Sequence, residues 1–220
     1  MCVPNTGETG RSNPVDNAVG LVRTYLQLNG YFTVTEYPII GGDRHHGHRT
    51  MTDLDVIAFR FPDASDCVVD ERHHTARMEP TLDPALGVPE TIPDMIIAEV
   101  KEGRAELNAA ARNPDVLRAA LIRFGCCGHC VSDPVVSQLV DRGSVILPVG
   151  HSARLVAFGS TYDGSAFYRR LLYTDVLAFI DRYIELHWDA VCSAGTKDSV
   201  LGLLMLQAKA RRGVMTVAGA

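Results

Sequence analysis

Apolar positions along this chain follow two different periods. Over residues 15–29, VDNAVGLVRTYLQLN, the spacing of Val15, Val19, Val22, Leu26 and Leu28 predicts a helix. Asn13-Pro14 and Asp16 supply its start, and Gly30 stands where a left-handed residue commonly ends one. YFTVTEYPII (31–40) then turns to β-branched and aromatic residues and predicts a strand, stopped by Gly41-Gly42. A polar loop, GGDRHHGHRTMT, leads into a second strand, DLDVIAFRF (53–61), closed by Pro62. Residues 62–93 are rich in Pro, Asp and His and have little periodicity, so they are expected to form a long excursion with short structure of its own. DMIIAEVKEG (94–103) predicts a third strand that breaks at Gly103.

Helical spacing returns from Asn113-Pro114 to Phe124, capped by Gly125, and two strand candidates follow at 144–150 and 153–159. The last part reads as helical, from Tyr173 to about Asp189 and from Lys197 to about Arg211. Leu171, Leu172, Val176, Phe179, Ile180 and Tyr183, then Leu201, Leu203 and Leu204, would form its apolar stripes, serving a core or a homodimer face. Clustered strands with helices before and after predict a mixed α/β layer and not a doubly wound repeat.

Within the third strand Glu99 and Lys101 share one face with Met95 and Ile97, so that face turns from apolar to charged at the strand's end. Asp53 and Asp55 share a face at the start of the second strand. If the two strands are antiparallel neighbours, Asp55 comes beside Glu99 and Lys101. Two carboxylates that close repel one another unless a cation joins them, and Mg²⁺ prefers oxygen ligands and water. Asp94 has the opposite parity to Glu99 and cannot share a metal with it in a regular strand.

An acid on one strand, followed by a strand ending in apolar-Glu-x-Lys after a leading helix and strand, resembles the PD-(D/E)xK nuclease superfamily. The resemblance covers roughly residues 15–160. It implies a restriction-endonuclease-like αβββαβ core, a mixed sheet flanked by helices, followed by C-terminal helices over 161–220 packed on the same domain. It also implies Mg²⁺ (or Mn²⁺) held by Asp55, Glu99 and the backbone carbonyl of Val100, with Lys101 as the catalytic lysine and Asp53 as a fallback ligand. Many relatives place a Glu inward on the first helix, where this chain has only Asp16 and Asn17. Arg104, Arg112, Arg118 and Arg123 are candidates for phosphate contacts, Arg104 and Arg112 foremost, with DNA favoured over RNA.

Composition narrows the alternatives. With 220 residues and 46% hydrophobic content the chain can bury a full core, and its net charge of −5 argues against coating nucleic acid through bulk charge. No apolar run reaches membrane-spanning length. Residues 1–14, MCVPNTGETGRSNP, lack an apolar stretch and read as a flexible tail without a signal peptide, so a cytoplasmic location is the expectation. Three of the six cysteines crowd into CCGHC at 126–130. Buried thiols at a helix end are preferred there over zinc on Cys126 and Cys130, which would need Cys67, His73, His74 or Cys192 to complete its shell. His45, His46 and His48 read as an exposed loop near enough to reach a metal or phosphate. A catalytically inactive nuclease-like module that binds nucleic acid or protein, and a zinc-stabilised regulatory domain, remain as alternative readings.

Overall fold

A computed structural model describes residues 16–43, 47–65, 67–69, 75–77, 81–126 and 133–218. Its first half comprises α1 (Asn17–Leu28), β1 (Phe32–Asp43), β2 (Gly47–Arg60), β3 (Cys67–Val69), β4 (Thr75–Arg77) and β5 (Asp94–Val100). Its second half comprises α2 (Pro114–Arg123), α3 (Asp133–Arg142), β6 (Ser144–Ile146), β7 (Ser152–Gly159), β8 (Arg169–Leu172), α4 (Tyr173–Leu186), α5 (Trp188–Ala194) and α6 (Ser199–Ala218). The protein is α/β, with one six-stranded mixed sheet in the order β1-β2-β5-β7-β6 and β8 also on β7. β1, β2 and β5 pair antiparallel, while β5 and β7 run parallel. β3 and β4 form a separate two-stranded ribbon inside the expected excursion. Among the described residues no helix is long and apolar enough to cross a membrane.

Strand alternation divides the interior into two cores. Ile57, Met95, Ile97 and Leu155 point to the side covered by α2 and α3, through Leu117, Leu121, Val136 and Leu139. Val56, Ala58, Ile96, Ala98, Val156 and Phe158 point to the other, covered by Val22, Tyr25 and Leu26 of α1 and by Val176, Phe179 and Ile180 of α4. All seven residues of β5 are therefore buried. Asp16 caps α1 through its side chain, and Asn113 caps α2 ahead of Pro114.

Several expectations are corrected. Gly41-Gly42 does not stop β1; the strand continues to Asp43 and returns from Gly47, so most of the expected polar loop is the arm of a long hairpin. β6 is limited to 144–146, shorter than the strand expected to reach 150. The strand β8 and the helix α3 were not anticipated, and Leu171 and Leu172 belong to β8, outside the helical stripe. On α6 it is Met205 that is buried, while Leu203 is largely exposed.

Asp94, at the start of β5, is fully buried on the α1 side. Arg154 grips it with Nε at 3.0 Å and Nη2 at 2.6 Å, Tyr31 donates its hydroxyl at 2.5 Å, and Ser152 donates a third contact. Removing the cation strands a buried charge, so Arg154→Ala should lose about 3–5 kcal/mol of unfolding free energy in urea denaturation. The double variant Asp94→Asn/Arg154→Met should recover much of that loss, because no unpaired charge remains; an equal loss in both would contradict this account of the pair.

Candidate functional site

β2 and β5 set Val56 opposite Ala98, and continuing that register by one step places Asp55 opposite Glu99. Backbone pairing ends there, and the Asp55 side chain takes its place. Its Oδ2 accepts a hydrogen bond from the Val100 N–H at 2.7 Å. The N–H and C=O of one strand residue face the same edge, so the Val100 carbonyl also faces β2.

Glu99 is 2% exposed. Its Oε1 takes both the Lys101 ammonium, in a close ion pair, and the Asn108 amide at 2.6 Å. Asn108 is itself oriented by accepting the Ala111 N–H at 2.6 Å. Among the described residues the second oxygen of each carboxylate, Asp55 Oδ1 and Glu99 Oε2, has no hydrogen-bond partner. The pair is therefore half satisfied.

Electrostatics follows from that burial. Desolvation pushes the Asp55 carboxyl above its ordinary range, against the Val100 N–H and Lys101, while Asp16 and Asp53 add to the rise. Desolvation likewise raises Glu99, opposed by Lys101 and Asn108 and reinforced by the charge of Asp55. Burial works to lower Lys101, but Glu99, Asp55 and Asp16 outweigh it and leave the ammonium harder to deprotonate than usual. Tyr173 donates its hydroxyl to the Lys101 carbonyl at 2.9 Å, and burial, with Asp16, Glu102 and Asp55, pushes its phenol up to about 12. Among the described residues, the negative charges together exceed the one cation at the site.

The remaining predicted residues fall in different places. Asp53 is exposed and pairs with Pro38 on β1. Arg104 is shared between Asp163 at 2.5 Å and Glu106 at 3.9 Å, so its charge is largely cancelled. Arg112 lies over the Phe167 ring, 5.4 Å from its centre. Arg118 bonds Asp115 and Asp133, and Arg123 bonds the Tyr37 hydroxyl. His48 is exposed on the hairpin arm opposite Gly42. It lies seven positions before Asp55 along the strand, on the order of 23 Å, so it does not reach this site; His45 and His46 lie outside the described residues. Cys126 is a core thiol, its Sγ 3.1 Å from Met95 Sδ, and Cys127, His129 and Cys130 lie outside the described residues.

Asp55, Glu99 and the Val100 carbonyl are hard oxygen donors of the kind Mg²⁺ accepts alongside water and substrate phosphate. Among the described residues no cluster of three or more His, Cys, Asp or Glu gathers as a complete metal cage. Such a set suits a metal whose shell is finished by water. The sequence matches no family model, and neither a curated protein nor a solved structure matches it significantly.

The raised carboxyls fix the sign of a pH effect. A carboxyl raised on folding favours the folded state below the ordinary carboxyl range, and that advantage is lost as pH rises through the raised value. Asp55→Asn keeps an acceptor for the Val100 N–H while removing the charge. In chelator its Tm should exceed that of the wild type at pH 7, and the gap should close as pH falls to about 4. A lower Tm for the variant at neutral pH would contradict the assignment.

Proposed function

We propose that the protein is a divalent-metal-dependent nuclease of the PD-(D/E)xK type, acting on phosphodiester bonds of nucleic acid, DNA in preference to RNA. One observation carries the reading: Asp55 and Glu99 stand on paired strands beside Lys101, each with one oxygen left unpartnered. The element order α1, β1, β2, β5, α2, β7, with β5 and β7 parallel, is compatible with a restriction-endonuclease-like core.

Asp55, Glu99 and the Val100 carbonyl would hold Mg²⁺ or Mn²⁺. Bound there, the ion polarises a phosphoryl oxygen and lowers the pKa of a coordinated water. Lys101, protonated and anchored on Glu99, places a positive charge where the attacking water and the developing phosphoryl charge meet. Asn108 holds Glu99 in one rotamer, leaving Oε2 turned away from that bond. Tyr173 fixes the backbone at Lys101 from the opposite side of the strand end. A second reading, a nuclease-like module that binds without cutting, takes the Glu99–Lys101 ion pair as purely structural.

The test offers single-stranded, duplex and branched DNA, and RNA, to purified protein with Mg²⁺ or Mn²⁺. Cleavage should fall by at least about 10²-fold in each of Asp55→Ala, Glu99→Ala and Lys101→Ala. Mg²⁺ should raise the wild-type Tm and leave that of Asp55→Ala unmoved. Cleavage that survives all three substitutions comes from elsewhere and sinks the reading. Absence of both cleavage and metal stabilisation favours the binding module.

A further inference from the structure

Once β5 is paired with it, β7 has one free edge, and two short strands share that edge. β6 pairs with Ser152 to Arg154, and β8 pairs with Val156 to Gly159. At the junction, beside Leu155, an open cleft of about 530 Å³ lies in the surface. Arg142, Arg169 and Arg170 line it together with Tyr162, Phe167 and Tyr168, and no carboxylate is among the lining residues. Arg154 lines it as well, but its charge is matched by Asp94.

The other three guanidinium groups keep their charge. Arg142 is exposed and, among the described residues, makes no hydrogen bond or ion pair. Arg169 gives an N–H to the Ala85 carbonyl at 2.6 Å, and Arg170 gives two to the carbonyls of Asp163 and Gly164 at 2.7 and 2.6 Å. All of these acceptors are neutral. In a chain of net charge −5, three uncancelled arginines in one concavity select an anion.

The rings narrow the ligand further. Tyr162 is 48% exposed and Phe167 is 42% exposed. Arg170 stacks on Tyr162 at 4.5 Å from its centre. Arg112 likewise lies over Phe167, and partly exposed rings interleaved with guanidinium charges suit bases alternating with phosphates, as in single-strand binding grooves. A duplex keeps its base faces stacked internally and offers nothing to these rings. The cleft is also joined to the acidic site. The Tyr168 phenol oxygen accepts the Leu107 N–H at 3.3 Å, and the next residue, Asn108, holds Glu99.

The geometry points to this cleft as a binding site for a single-stranded segment of nucleic acid, with phosphates on Arg142, Arg169 and Arg170 and a base on Tyr162 or Phe167. The proposal rests on the nuclease reading for the identity of its substrate, and its test does not. Fluorescence anisotropy in EDTA compares a labelled single-stranded DNA 12-mer with its duplex, using the full chain. The single strand should bind more tightly than the duplex. Arg142→Ala should weaken binding about fivefold and lower the salt slope by about one counterion, and Arg142→Lys should restore most of that slope. Tyr162→Ala should weaken binding roughly 5- to 100-fold. Arg211→Ala, on α6, serves as the charge-matched control and should bind as the wild type does.

Arg142 has no partner to lose, so its variants should keep the wild-type Tm. Folded Arg142→Ala and Tyr162→Ala proteins that bind the single strand unchanged would overturn the proposal, as would preference for the duplex. Displacement of the strand by an equal concentration of a mononucleotide would assign the cleft to free nucleotides and also overturn it. Binding that depends on Arg142 and Tyr162 in a protein that cleaves nothing would keep the cleft and remove the nuclease reading. Cleavage with binding indifferent to both residues would do the reverse.

Discussion

Strand β5 is enclosed on both faces and paired on both edges, and this enclosure governs what its charged groups can be. A carboxylate there loses its water and must find partners in the protein. The two acids of the strand meet that demand in opposite ways. Asp94, at the start, is filled by Arg154, Tyr31 and Ser152 until both oxygens are engaged. Glu99, at the end, receives Lys101 and Asn108 on the same oxygen and, among the described residues, nothing on the other. Residue chemistry, strand and burial are similar; the number of partners separates the two acids.

The end of β5 is held in place by both cores at once. Lys101 donates its N–H to Phe158 on β7, and Ser160 donates to the Gly103 carbonyl while Ala105 donates to that of Thr161, so the chains leaving β5 and β7 travel together. Gly159 permits that approach: a Cβ there would stand 2.5 Å from the Ala105 nitrogen. Asn108 arrives from the α2 side and Tyr173 from the start of α4 on the other. The acidic pair is thus coupled to the packing of the whole sheet, and small changes at Gly159 act on Lys101 through the backbone.

Much of this was legible in the sequence because strand parity is a local property. It put Glu99 and Lys101 on one face, excluded Asp94, and matched Asp55 to its partner once antiparallel pairing was assumed. Where long-range pairing decides, the reading failed. Gly41-Gly42 reads as a breaker, yet β1 runs through it because β2 pairs with it out to Asp43, past a register shift between Ile39 and Ile40. β8 is four residues long and exists only because β7 offers an edge. Asn108 and Tyr173 carry no local signal; a loop and a helix start far along the chain bring them to the strand end.

Net charge does not show where the charges gather in space. Arg142 ends α3, whereas Arg169 and Arg170 open β8, and only the sharing of one β7 edge brings them together. At the acidic site, among the described residues, Asp16, Asp55 and Glu99 face a single Lys101, so a bare phosphodiester arriving there would be repelled until a cation binds. On the nuclease reading, attraction must therefore come from elsewhere on the surface. Arg104, next to the site, is cancelled by Asp163 and Glu106. The arginines at the β6–β8 junction are not, and they attract a polyanion without neutralising the carboxylates that a metal needs. On that reading, separating the two charges would let one molecule hold a metal and a nucleic acid together, where a single mixed patch would close on itself as ion pairs.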